Sequence, residues 1–487
     1  MFLQLTPVDY IAARVEEQRI RVMEGPWTPM GVIKEIVDSG TQEDPFYVMD
    51  LGEVVKRYRQ WKELMPRVEP HYAVKCNDDE LLLTTLAALG TGFDCASKAE
   101  IQQIINLGHH LTRMKVFISM VFESVSYPIP TPDLGQLILN SLVSFYRTSV
   151  SYHEIRCRSY LTPYLLHHSR IIFANPAKLA SHIRYSSCAG VDTMTFDSET
   201  ELLKIKQFFP MAKLVIRIRC DSRSAQCPLG VKFGCEPTTE APRLLKLAAV
   251  MGMNVIGVSF HVGSGARDTD SYSLGIQLCR ALFDLGDSYG LDMNLLDIGG
   301  GFPGEQDASI DEVSQVITAS LDRWFPGPRV RVIAEPGRYF AAAAYTLATM
   351  VHSKRELPTS DSEEVHTMYF INDGVYGSFN CVLYDHQQVV PTPLTPASTK
   401  PIECSIWGPS CDGLDCVLPS TELPALTLGD WLVWNNMGAY TLPVASSFNG
   451  FPVPRVRAVI DQELWWVGLS LSILGINPSP LLCVFVC

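Results

Sequence analysis

Four separated stretches carry side chains whose chemistry could converge. They are Glu69-Pro-His-Tyr-Ala-Val-Lys-Cys-Asn77, His261-Val-Gly-Ser-Gly265, Asp297-Ile-Gly-Gly-Gly-Phe-Pro-Gly304 and Glu335-Pro-Gly-Arg338. In the first, Lys75 offers an amine that can condense with a carbonyl. Alone, it is an ordinary lysine solvated at a strand end. In the third, three consecutive glycines let backbone N–H groups approach a phosphate, and Arg338 of the fourth adds a permanently charged, bidentate partner. Glu335 needs a cation or a hydrogen-bond donor if it is buried, either an arginine or a protonated ring nitrogen. His261 could stack on such a ring or be a satisfied core histidine.

Each stretch sits where a strand ends. Eight β-prone runs recur: Tyr72-Ala-Val, Gly92-Phe, Ile171-Ile-Phe, Thr193-Met-Thr-Phe, Leu214 to Ile218, Val255 to Phe260, Leu295 to Ile298 and Val330 to Ala334. Most are followed by helical periodicity. Phe93-Asp-Cys-Ala-Ser97-Lys-Ala-Glu100 and Phe196-Asp-Ser198-Glu-Thr-Glu201 are near copies, each a strand end leading into a capping box. Eight alternating units predict an α/β fold, a (β/α)8 barrel over 46–345, with chemistry at the carboxyl ends of its strands. One interval does not fit. Asp94 and Phe173 are about 80 residues apart, so an atypical insertion is expected at 109–168.

Beyond Arg338 the pattern becomes short β-prone runs: Thr367 to Ile371, Phe379 to Tyr384, Asp430 to Trp434 and Val456 to Ile460. They predict a β-sandwich or β-barrel domain from 346–487, joined by residues 1–45. The composition is that of a soluble globular chain, with 47% hydrophobic and 19% charged residues. A net charge of −13 argues against nucleic acid or an anionic membrane as partner. The 14 cysteines form no CxxC pair, as expected of reduced thiols in the cytoplasm. The start lacks the basic and apolar regions of a signal peptide, and the apolar run Leu464 to Ile476 is too short to cross a bilayer. No arrangement of metal ligands stands out. A lysine for an imine, glycines and an arginine for a phosphate, and a glutamate for a ring nitrogen together describe pyridoxal 5′-phosphate.

The ordered motifs AVKCN, FDCASKAE, FANP, VKFG, VSFHVGSG, DIGGGFPG, AEPGRY, NDGVYGSFNCVLYDH, IWGPSCDGLD and GDWLVWNNMGAYT cover most of 46–108 and 170–450. The chain thereby resembles the barrel-fold family of ornithine, diaminopimelate and arginine decarboxylases. The resemblance implies that Lys75 holds the cofactor, His261 stacks on its ring and Glu335 pairs with the ring nitrogen. It implies a phosphate site of Ser264, Gly299, Gly300, Gly301, Arg338 and Tyr440, with Asp94, Glu100 and Arg217 nearby. Glu100 has an equal claim as the cap partner of Ser97.

The family places its site between two subunits of a homodimer. Cys411, a proton donor, and Asp412 would then enter from the neighbour. Asp412 would hold the distal ammonium of a basic amino acid with Asp385, beside Tyr384, and Lys232 and Asp415 match a pair that bridges subunits. The implied reaction is decarboxylation of a basic amino acid, ornithine foremost, in polyamine synthesis; lysine or leucine are the other substrates considered. A non-catalytic antizyme-binding regulator is the remaining alternative, since residues 180–205 match the family's antizyme-binding region. Departures from the family lie in the insertion at 109–168 and in the tail from about 461.

Overall fold

A computed structural model describes residues 20–107, 168–358, 365–396 and 400–464. The segment expected to be an insertion and the apolar run near the C-terminus fall almost wholly outside these residues, as does the start of the chain. Two strands come first, β1 (Arg21–Met23) and β2 (Phe46–Asp50). The helix between them, Pro29–Asp38, begins as its sequence dictates. The Thr28 side chain accepts the Gly31 amide, and a proline occupies the first turn.

The barrel is built from β3 (Val68–Ala73), β4 (Gly92–Cys95), β5 (Ile171–Phe173), β6 (Thr193–Phe196), β7 (Lys213–Arg219), β8 (Asn254–His261), β9 (Leu295–Asp297) and β10 (Arg331–Ala334). These eight strands pair in parallel in chain order, and β10 closes the ring on β3. Every barrel strand expected from the sequence is present. Along β7 the side chains alternate as a pleat requires. Leu214, Ile216 and Ile218 join the large outer core, while Val215 joins a separate small cluster with Ile172, Ala174, Leu295 and Ile333. That small cluster fills the barrel and leaves the carboxyl ends of its strands free for polar groups. β3 ends at Ala73, and one 3₁₀ turn, Val74–Cys76, sets Lys75 just beyond it.

The remaining strands are β11 (Tyr345–Pro358), β12 (Val365–Ile371), β13 (Pro391–Pro393), β14 (Ile402–Trp407), β15 (Cys416–Leu423), β16 (Trp431–Trp434) and β17 (Arg455–Asp461). With β1 and β2 they make a mixed sheet that is nine-stranded among the described residues, in the order β1-β17-β2-β11-β12-β14-β15, with β16 and β13 branching from β11. The first half of β11 pairs with both β2 and β16, and its second half pairs with β12.

Two segments differ from expectation. Phe46–Asp50, placed by the sequence at the start of the barrel segment, instead pairs with β11 and β17 in the sheet. It is buried on both faces, Phe46 and Val48 in one core and Tyr47 and Met49 in another. Asn380–Tyr384, expected as a β run, is a short helix. Asp373 accepts the amides of Gly374 and Ser378 at 2.8 and 3.1 Å, and Asn380 donates to the carbonyls of Gly377 and Thr441 at 2.6 and 2.7 Å. These bonds wind the chain where its residue types favour extension. Among the described residues no helix is long and apolar enough to cross a membrane, and no cluster of side chains could hold a metal ion.

Candidate active site

At the carboxyl end of the barrel, Lys75, His261, Ser264, Gly300, Gly301, Glu335, Arg338 and Tyr440 line one cleft, with Ala73, Phe302 and Gly337 between them. Lys75 forms an ion pair with Asp94, which is wholly buried at the end of β4. Burial pulls the Lys75 ammonium down, but Asp94, then Tyr440 and Glu335, outweigh it and hold the group above its ordinary value. Glu335 is driven well up by burial, then by the nearby Asp297 and Asp94 carboxyls, with Lys75 opposing. Burial likewise raises Asp297 to about 6, against the hydrogen bond it accepts from the Gly299 amide. Asp297 shares a side-chain hydrogen bond with Glu335, and among the described residues no donor reaches the second oxygen of Asp94 or of Asp297. Three buried carboxyls therefore outnumber the cations beside them, and the cleft favours a ligand that brings positive charge or an N–H donor.

His261 presents the opposite character. Its Nδ1 accepts the Gly263 amide at 2.9 Å, and burial, Arg217 and Lys75 push its pKa well down. The ring is neutral, with its proton on Nε2, and so suits a flat aromatic neighbour better than an anion. Arg217, on β7, packs over the Phe233 ring at 5.3 Å. The glycine run fits tightly. Gly299 and Gly301 have φ of +66° and +113°, and a Cβ on Gly300 would lie 2.7 Å from the Glu335 carbonyl oxygen and 2.8 Å from His261 Nε2.

Arg338 is 3% exposed. Its Nη2 donates to Ser264 Oγ at 3.0 Å and to both oxygens of Asp385 at 2.8 Å, and its Nη1 donates to Gln387 Oε1 at 3.2 Å. Its Nε has no partner. The guanidinium lies 5.3 Å from the centre of the Tyr440 ring. Tyr440 has a left-handed φ of +55°, and its amide donates to the Cys76 carbonyl at 2.8 Å, tying the sheet to the turn that carries Lys75.

Other residues singled out in the sequence stand elsewhere. Asp385 is buried against Arg338, whereas Tyr384 beside it is 71% exposed. Cys411 and Asp412 do not line the cleft. Cys411 is exposed, its amide on Asn449 Oδ1 at 3.1 Å, and Asp412 accepts the hydroxyl of Tyr376. Lys232 lies over the Phe233 ring at 5.0 Å, and Asp415 is buried and accepts the amides of Val375 and Ser410 at 2.8 and 2.9 Å. Glu100 accepts the Ala96 amide at 2.6 Å while Ser97 accepts the Glu100 amide at 3.2 Å, so it caps its helix. Sequence reasoning overlooked Tyr376 and Gln387. Tyr376 lies inside a quoted motif, but only the fold brings its hydroxyl to Asp412. Gln387 follows Tyr-Asp-His and carries no signal of its own.

The residues present fit pyridoxal 5′-phosphate. Arg338, Ser264 and backbone too tight for any Cβ could hold a phosphate, Glu335 a ring nitrogen, and Lys75 a carbonyl carbon.

Comparison with known proteins gives the same direction. The family described as pyridoxal-dependent decarboxylase, pyridoxal binding domain, matches residues 51–123 and 150–342, so the flanks of the expected insertion match and 124–149 does not. Ornithine decarboxylase of Mus pahari is 42% identical, covering 91% of this chain and 86% of the relative. Antizyme inhibitor 2 of Xenopus laevis is 38% identical, covering 93% and 89%. Among solved structures, the arginine decarboxylase of Paramecium bursaria Chlorella virus bound to agmatine is 33% identical with a TM-score of 0.72, covering 88% of this chain and all of that one. With a closed parallel barrel, a cleft suited to the cofactor and family likeness across most of its length, the chain belongs to the pyridoxal-dependent decarboxylases.

Proposed function

We propose that the chain decarboxylates L-ornithine to putrescine and carbon dioxide, supplying polyamine synthesis. The observation that carries this reading is the meeting of Lys75, Glu335, Arg338 and the glycine run in one cleft. Pyridoxal 5′-phosphate, when bound, supplies an aldehyde that condenses with amines and a ring that accepts the electrons left by departing carbon dioxide. Lys75 anchors the aldehyde carbon, and Asp94 orients its Nζ and takes up its charge. Ser264, Gly299, Gly300, Gly301 and Arg338 bind the phosphate, with Tyr440 against the guanidinium. Glu335 holds a proton at the ring nitrogen, and neutral His261 supports the ring face. Burial, with the Arg217 and Lys75 cations beside it, keeps His261 neutral.

Asp385 and Asp412 hold the distal ammonium. A neutral side chain would offer these two carboxylates no charge, which sets the preference for a basic amino acid. Cys411 and Asp412 lie outside the cleft of their own chain and reach the cleft of a second copy, with Cys411 returning the proton that replaces the lost carboxylate. The enzyme is therefore a homodimer with shared sites, in which Lys232 and Asp415 face one another across the subunits. Its compartment is the cytoplasm, in keeping with described cysteines that are all free thiols.

The test is the absorbance of the purified protein through the near-ultraviolet and blue, followed by trapping of carbon dioxide released from ornithine, lysine and leucine in turn. A band lost in Lys75→Ala, with release from ornithine, is expected. Release from leucine alone would overturn the basic-substrate reading. The stretch matched to antizyme binding runs from the helix Ala180–Ala189 through β6 into the helix Glu199–Phe208, and one relative is named antizyme inhibitor 2. Antizyme binding on this face is compatible with catalysis; a folded protein with no band would make it the whole function.

A further inference from the structure

Asp385 stands at the meeting point of two tasks that require opposite partners. Resting on the cofactor and substrate assignments just made, we propose that its carboxylate exchanges partners. It leaves Arg338 when a phosphate takes the guanidinium, and it then receives the distal ammonium of the substrate. Cofactor loading thus switches on recognition of a basic amino acid.

The competition is for one nitrogen, Arg338 Nη2. Both oxygens of Asp385 sit 2.8 Å from Arg338 Nη2, the same nitrogen that donates to Ser264 Oγ at 3.0 Å. An Nη group has two hydrogens, so three acceptors already crowd it. A phosphate that takes the Ser264 hydroxyl also draws on this Nη2, and its charge repels the carboxylate. The Arg338 Nε, buried without a partner among the described residues, offers the phosphate a further donor.

The exchange needs only a side-chain rotation. The backbone of Asp385 is pinned, its amide donating to the Cys381 carbonyl at 3.1 Å and its carbonyl accepting the Gln226 amide group. The carboxylate itself has one other contact of note, Cys227 Sγ at 3.7 Å from Oδ1, which is weak enough to yield. Once off Arg338, a carboxylate in a residue only 5% exposed must find another cation. A substrate ammonium meets that need.

The experiment uses the full-length protein stripped of cofactor, with inorganic phosphate and 1,4-diaminobutane as calorimetric probes. In the wild type each probe is expected to tighten the other by the same factor, roughly tenfold. In Asp385→Asn, phosphate is expected to bind roughly tenfold tighter than in the wild type, and the coupling to disappear. Phosphate should also raise the melting temperature of this variant more than that of the wild type. Unchanged or weaker phosphate binding in Asp385→Asn overturns the exchange, because Asp385 would then only orient Arg338. Independent binding of the two probes to the wild type overturns it without recourse to any variant. If pyridoxal 5′-phosphate fails to displace bound phosphate from the wild type, the cofactor assignment falls, and the exchange with it.

Discussion

Glu335 shares its pocket with two other buried carboxyls, and a proton held among them is more useful than a fixed charge. Glu335→Gln keeps the shape and removes the acid. By analogy with loss of a single electrostatic stabiliser, kcat for ornithine should fall about 10²-fold. The absorbance band should persist, which separates lost catalysis from lost binding. His71 makes a separate, pH-dependent contribution. Burial, then Arg331, push its pKa down to about 3, so the folded protein keeps it neutral while the unfolded chain takes up a proton below about 6.5. This stabilising difference is complete above about pH 6.5 and is lost as pH falls towards 3. Urea titrations at pH 7 and pH 4 should show a smaller loss for His71→Gln than for the wild type, by up to about 3 kcal/mol. That Lys75, Glu335 and Arg338 would meet in one cleft was legible because each follows a strand end of one predicted barrel. The unpaired oxygens of Asp94 and Asp297 were not, since the charge balance of a pocket exists only when distant strands meet.

The elements divide by how local their causes are. The barrel strands could be read from the sequence because they are short apolar runs punctuated by helices. β15 escaped because it is the last strand of its sheet, where exposed polar positions interrupt the apolar ones, and it even carries Pro419. Asn380–Tyr384 was misread because side-chain bonds from Asp373 and Asn380, rather than propensity, wind it. Glycine positions sharpen the distinction. A Cβ on Gly257 of β8 would lie 1.9 Å from the Leu295 carbonyl oxygen of β9, whereas one on Gly290 would touch nothing within 4 Å. Gly257→Ala should therefore abolish a cooperative melting transition. Gly290→Ala, strained only by its φ of +75°, should cost about 1 kcal/mol in urea unfolding.

At the scale of the whole molecule, the shared-site reading has a quantitative consequence. Lys75→Ala and Cys411→Ala should each be nearly inactive alone. Mixed in equal amounts and allowed to exchange subunits, they should regain about a quarter of wild-type activity, because half the dimers are mixed and each has one intact site. Failure to regain activity despite exchange, followed by sedimentation of a tagged copy, would place both residues in a single chain's site. The two-part architecture was legible as a change in pattern after Arg338, but the way the parts interlock was not. Residues 1–45 were expected to join the sheet, where β1 pairs with β17; β2, read from the sequence as part of the barrel segment, pairs with β17 as well.

The clasp between sheet and barrel also orders events in time. Asn77 Nδ2 donates to the Gly438 carbonyl at 2.9 Å, and the Tyr440 amide closes on Cys76, so the turn bearing Lys75 is braced by residues more than 360 positions downstream. During synthesis all eight barrel strands leave the ribosome well before Tyr440 does. A nascent barrel lacks this brace. On the assignment of Lys75 proposed above, cofactor capture is expected to await completed folding, and a chain stalled after β10 is expected to fail to retain the cofactor.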